Sequence, residues 1–206
     1  MYQGALNDAF IEAAKSGDMS VLQECLEQGV EVDLRNDAAL REAAEAGHLD
    51  IVVYLVEKGA DIHAEDDWAF RRAAGQGHLE ILHYLDAQGA NPHAEDTGAL
   101  WRAAMNGHMQ VVRYLVEDKH VDVQAGDNAA LFCAATSNFS NVALYLTAQG
   151  AQYENVPEHA QEMCREIKER YDAELAQKEE QERVQKQINR RDKQTALRRF
   201  VPRKPK

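Results

Sequence analysis

Ala73-Ala74-Gly75-Gln76-Gly77-His78-Leu79-Glu80-Ile81 is one of five versions of the same phrase in this chain. Its Ala-Ala pair stands also at Ala13-Ala14, Ala43-Ala44, Ala103-Ala104 and Ala134-Ala135, so the steps in chain order are 30, 30, 30 and 31 residues. A fixed period of this length marks stacked supersecondary units rather than a closed globule. Each unit buries its core against its neighbours, and the stack offers one long flank for recognition.

Positions around each pair repeat as well. Four residues after the first Ala stand Gly17, Gly47, Gly77, Gly107 and Asn138, the residue types that a left-handed helix C-cap requires. Six residues before it stand Asn7, Asp37, Asp67, Thr97 and Asn128, all favourable N-caps. A short inner helix is thereby bracketed in every copy. A second helix follows the glycine. Val21, Ile51, Ile81, Val111 and Val142 lie four residues ahead of Cys25, Leu55, Leu85, Leu115 and Leu146, a spacing that keeps both on one face. Leu55, Leu85 and Leu115 are expected to form one continuous buried seam. Gly29, Gly59, Gly89 and Gly150 stop this outer helix. The fourth copy instead carries Lys119-His120 and one extra residue, which predicts an irregular loop. Each copy thus reads helix, turn, helix, glycine, extended link.

This grammar resembles the ankyrin repeat, most closely in Gly47-His48-Leu49-Asp50-Ile51-Val52 and Gly77-His78-Leu79-Glu80-Ile81, and the resemblance covers residues 4–156. It implies an all-α fold: an ankyrin-repeat solenoid of five helix-turn-helix repeats near 4–33, 34–63, 64–93, 94–124 and 125–156, plus a C-terminal capping helix. The family's Thr-Pro-Leu-His-like opening is replaced by Ala38-Ala39-Leu40-Arg41, Trp68-Ala69-Phe70-Arg71 and Gly98-Ala99-Leu100-Trp101. The N-cap residues are therefore expected to fix the inner helices. The repeat is also about three residues shorter than the usual 33. The missing residues fall in the link, which implies stubby projecting fingers. Short repeats of this kind resemble those of bacterial and large-virus ankyrin proteins.

Beyond residue 156 the pattern changes. Met163, Ile167, Tyr171 and Leu175 form one apolar stripe at helical spacing. They predict a helix over 157–176 that covers the open end of the stack, as terminal repeats require. The second domain, 157–206, ends in a basic tail, and Arg198 to Lys206 are expected to be disordered when free. Net charge is −12 over 206 residues. Residues 183–206 hold ten Lys and Arg against Asp192 alone, a surplus of nine, which leaves −21 on residues 1–182. Such asymmetry is a partner signal.

The longest apolar run in the repeats, Ile51 to Val56, is far short of a membrane span, and no membrane contact is expected. Met1-Tyr2-Gln3-Gly4 lacks the basic and apolar regions of a signal peptide. Cys25, Cys133 and Cys164 are odd in number and show no metal or redox spacing. A reducing cytoplasm is expected, of a bacterium or of a host cell. No serine-hydrolase, zinc-protease or phosphate-loop motif occurs. The chain is read as a non-enzyme with no catalytic residue, cofactor, metal or small-molecule substrate. His48, His78 and His108 form a ladder with rungs about 8–10 Å apart, too far for one zinc ion holding nitrogens at about 2 Å. Hydrogen bonding at the turn is their expected role.

The inner-helix face carries the candidate site. Opposite the buried Leu40, Ala43, Ala44 and Gly47 fall positions 38, 42 and 45. Their equivalents are Trp68, Arg72 and Gly75 in the third copy and Gly98, Arg102 and Met105 in the fourth. Trp and Arg dominate interface hot spots. Two readings of Trp68 stay open: it contacts a partner, or it folds over its own loop or a neighbouring repeat. Arg41, Arg71, Trp101 and Phe132 share the flanking position, where seam packing competes with partner contact and Arg71 is long enough to reach out. Candidate partner-binding residues are thus Trp68, Arg71, Arg72, Trp101, Arg102, Met105 and Phe132. Three functions follow from these features. The first is binding of a protein partner on the concave inner-helix face, inhibiting or redirecting it as an adaptor or inhibitor would. The second is nucleic-acid or polyanion binding through Arg190, Arg191, Lys193, Arg198, Arg199, Arg203 and Lys204; the same residues also suit an acidic protein surface. The third is imitation of nucleic acid by the acidic body, blocking a DNA-binding protein.

Overall fold

The structure is a computed structural model and describes residues 2–199, with side chains described as far as Asn189 except at Tyr2, Asp96, Asn155, His159 and Glu174. Five helical hairpins follow one another: α1 (Tyr2–Ser16) with α2 (Met19–Glu27), α3 (Leu34–Ala46) with α4 (Leu49–Glu57), α5 (Ala64–Gln76) with α6 (Leu79–Ala87), α7 (Ala94–Met105) with α8 (Met109–Arg113), and α9 (Ala125–Thr136) with α10 (Ser140–Ala148). Among the described residues there is no strand. The inner helices α1, α3, α5, α7 and α9 pack on one another in a row, and each packs on its own outer helix. The Ala-Ala pairs explain the close approach. Ala14, Ala43, Ala44, Ala73, Ala74, Ala103, Ala104, Ala134 and Ala135 are fully buried at the seams, where larger side chains would hold the helices apart. Leu55, Leu85 and Leu115 lie in the outer-helix seam without solvent exposure. Gly47 and Gly77 adopt left-handed φ of 88° and 81°, and Asn138 takes the same role in the fifth copy at 62°.

The links differ from the extended form expected of them. Each leads into left-handed backbone within the first turn of the following inner-helix segment, ahead of its right-handed part, at Arg35, Asn36 and Asp37, at Glu65, Asp66 and Asp67, at Glu95 and Thr97, and at Gly126, Asp127 and Asn128. The short link leaves too little chain for a projecting hairpin, and the left-handed turn reverses direction in three residues.

The N-cap expectation is corrected at the same place. Asp37, Asp67 and Asn128 precede the right-handed part of their helices, yet their oxygens accept hydrogen bonds from the next link. Asp37 Oδ1 accepts from the Asp61 N–H at 3.0 Å, Asp67 Oδ1 from Asn91 at 3.0 Å, and Asn128 Oδ1 from Gln152 at 2.9 Å. All three side chains are buried. They tie repeat to repeat, because a link's backbone N–H that is shielded from water needs an acceptor.

The extra residue of the fourth copy is absorbed inside a helix. A π-helical turn, Tyr114–Asp118, follows α8. Elsewhere the outer helix closes with a bond from Ala60 N–H to Leu55 O and from Ala90 N–H to Leu85 O, both 3.0 Å. Here Val121 N–H reaches Leu115 O at 3.0 Å, one residue later. The seam register is restored beyond it.

A 3₁₀ turn, Tyr153–Asn155, leads into α11 (Glu158–Arg199). The first compact unit ends at Cys164 and the second is Arg165–Lys206. Within the first, α11 caps the stack through Ala160 and Cys164, which are buried, while Gln161 Nε2 donates to Val156 O at 3.0 Å. Of the predicted stripe, Met163 and Ile167 are half-buried and Tyr171 and Leu175 are exposed. The second unit, as described, is a charged helix with pairs such as Lys186–Glu182 at 3.7 Å. Helix continues through Arg198 and Arg199, which were expected to be disordered.

Candidate interaction surface

Three arginines of the third and fourth repeats converge on one indole. The Arg71, Arg72 and Arg102 guanidiniums lie 4.6, 4.9 and 5.1 Å from the Trp68 ring centre. Arg102 lies also 4.4 Å from the Trp101 ring, so it sits between two indoles. The thirty-residue period produces this. Position 72 of α5 and position 102 of α7 are the same register on adjacent helices, and Trp68 precedes Arg72 by one helical turn. Each contact of this kind contributes about 0.5–1 kcal/mol when exposed and more when desolvated.

Two carboxylates complete the cluster, and neither is among the candidate partner-binding residues named from the sequence. Glu45 Oε1 accepts from Arg72 Nη1 at 2.6 Å, and Glu95 pairs with Arg71. Glu45 stands one period before Gly75, so the register that singled out position 45 already held the signal. Gly98 is needed for the second pair. A Cβ there would lie 2.8 Å from Arg71 Cδ and 3.0 Å from Glu95 Oε2.

Arg71 is placed apart from the surface expected for it. Its side chain is only 4% exposed, and it donates from Nε to Asp66 O at 3.0 Å and from Nη2 to Glu65 O at 2.7 Å. Arg41 repeats the device one copy earlier, donating to Arg35 O at 3.1 Å and pairing with Glu65 at 3.0 Å. Both arginines supply donors to the left-handed turns and couple each turn to the next. Burial, followed by the Arg102 charge, pulls the Arg71 guanidinium below its ordinary value. Trp68 and Trp101 are half-buried, as is Phe132 one repeat further on. Met105 is 37% exposed.

Charge is ordered along this face. Equivalent positions read Glu12 and Glu42 in the first two repeats, Arg72 and Arg102 in the next two, and Cys133 in the last. The tail residues Arg190, Arg191, Lys193, Arg198, Arg199, Arg203 and Lys204 have side chains outside the described residues.

The histidine ladder joins repeats. His48 Nε2 lies 3.1 Å from Lys15 O, and His78 Nε2 lies 3.0 Å from Glu45 O, in each case the preceding inner helix. Their rings lie over the preceding left-handed glycine, so that a Cβ on Gly17 or Gly47 would come within 2.7 or 2.6 Å of the ring. Phe139 occupies the same place over Gly107. Among the described residues no group of three or more His, Cys, Asp or Glu is arranged to hold a metal ion.

No match was found among curated proteins. The family model described as ankyrin repeats (3 copies) matches residues 4–66 and 70–156. With the hairpin stack, the glycine caps and this match over most of its length, the chain belongs to the ankyrin-repeat family.

Proposed function

We propose that this chain binds a protein partner on the inner-helix face of its third and fourth repeats. Ankyrin repeats are protein–protein interaction modules. The observation that carries the reading is the half-buried Trp68 ringed by guanidiniums, with Met105 exposed three residues beyond Arg102 on the same helix. Aromatic and arginine side chains are enriched in interface cores, and here they are held in place before any partner arrives, which lowers the ordering cost of binding. Such a binder acts by occupying its target, as an inhibitor or adaptor does. Its three cysteines are free thiols, which supports a reducing cytoplasm, and the short repeats support a bacterial or viral source. Among the described residues no helix is long and apolar enough to cross a membrane.

The test is partner capture by the full chain, followed by affinity measurement on Trp68→Ala and Met105→Ala. Both are expected to weaken binding at least tenfold. Unchanged affinity in both would place the interface elsewhere. The surplus of nine positive charges in 183–206 favours a second reading, polyanion binding by the tail.

A further inference from the structure

The charge balance around Trp68 identifies the chemistry of the partner, an inference that rests on the inner-helix reading above. Three guanidiniums meet there, and two carboxylates answer them. Glu45 is engaged by Arg72 and Glu95 by Arg71. Arg102 is left with a Glu95 oxygen at 3.8 Å, beyond hydrogen-bond reach. Among the described residues the Arg102 side chain donates no hydrogen bond, and its Nε is buried without an acceptor. A guanidinium has five N–H donors, and the two indoles beside it attract the charge but accept no such bond. Burial, then the Arg72 charge, draws the Arg102 guanidinium below its ordinary value, against the raising effect of Glu45. Its side chain is still 21% exposed.

The arginine is also held. A Cβ at Gly75 would lie 3.4 Å from Arg102 Cβ, so the stem runs close over that glycine. Asn106 Nδ2 donates to Gly75 O at 2.5 Å and bridges the same two helices. Met105 follows Arg102 by three residues on the same helix and shares its face. A pre-positioned cation lacking a hydrogen-bonded carboxylate, next to an exposed apolar side chain, is the complement of an acidic residue with an apolar neighbour.

We propose that Arg102 is the receptor for an Asp or Glu carboxylate of a bound protein segment whose adjacent apolar residue seats on Met105. Random twelve-residue peptides displayed on phage and panned on the full chain test this. The selected peptides are expected to be enriched in Asp or Glu beside an apolar residue. A synthetic peptide from that set is expected to lose about 10–100-fold in affinity on Arg102→Met. Changing its acidic residue to the amide is expected to cause a similar loss on the unaltered protein, a measurement that needs no protein variant. The two losses together should not exceed either alone by more than a small factor, the signature of one shared contact. Peptides that weaken on Trp68→Ala or Met105→Ala but tolerate both Arg102→Met and loss of the acid would overturn the carboxylate receptor and leave the inner-helix reading standing. Peptides indifferent to all three protein substitutions, or the recovery of no binder, would overturn both.

Discussion

Gly47→Ala isolates the contact that links one repeat to the next. Gly47 has φ +88°, and an added Cβ would lie 2.6 Å from His78 Cε1 and 2.9 Å from both ring nitrogens. Left-handed backbone costs a non-glycine residue about 1–2 kcal/mol. The ring must also move, which breaks its contact with Glu45 O at 3.0 Å and forfeits about 0.5–1.5 kcal/mol. The expected loss is therefore about 1.5–3.5 kcal/mol. Gly59 is the control, with φ +98° and nothing within 4 Å of its Cβ position. Gly59→Ala is expected to cost only the backbone share, about 1–2 kcal/mol. Urea unfolding followed by circular dichroism measures both, and the same pair is then measured in a His78→Ala background. There the excess of Gly47→Ala over Gly59→Ala should vanish. Equal losses in the unaltered background, or an excess that survives removal of His78, would refute the account of the ladder.

Leu85→Ala removes a side chain with no solvent exposure from the outer seam and should destabilise by about 2–5 kcal/mol in urea titration; a loss within error would place Leu85 outside the core. Asp37 gives a pH test. Burial holds its carboxyl above the ordinary value, against the lowering effect of the Asp61 N–H. Folding therefore favours its protonated form, so its contribution to stability falls as pH rises from about 4 through the folded-state value. Asp37→Asn keeps the acceptor, as Asn128 does naturally, and should flatten that fall in unfolding measured across pH; a steeper fall would contradict the sign. Asp37→Ala should lose about 1–3 kcal/mol by orphaning the Asp61 N–H. For the tail, the full chain should be retained on immobilised DNA or RNA at low salt and lose retention when 183–206 are deleted; passage of the full chain without retention ends that reading.

The period, the helix pairs and the glycine caps were legible because each depends on residue type at fixed spacing. Ala-Ala at a seam and glycine at a left-handed cap are close to obligatory choices, and Asn138 follows the same rule at φ 62°. The partners of polar groups were less legible. Asp37 and Asp67 suit an N-cap and a left-handed turn equally well, and nothing local to either residue says that its acceptor serves an N–H 24 residues away. The extra residue of the fourth copy was visible, but whether it enlarges a loop or widens a helix depends on keeping Leu115 in the seam, a tertiary demand. At the candidate surface, register placed Trp68, Arg72 and Arg102 together. It did not reveal that Arg71 turns inward, because the left-handed turn whose carbonyls it satisfies was itself read as an extended link.

Amide hydrogen exchange of the full chain, alone and saturated with its captured protein partner, tests the central claim most directly. New protection is predicted in α5 and α7, concentrated at Trp68–Gly75 and Gly98–Met105. Protection confined to the outer helices or to the tail would contradict it.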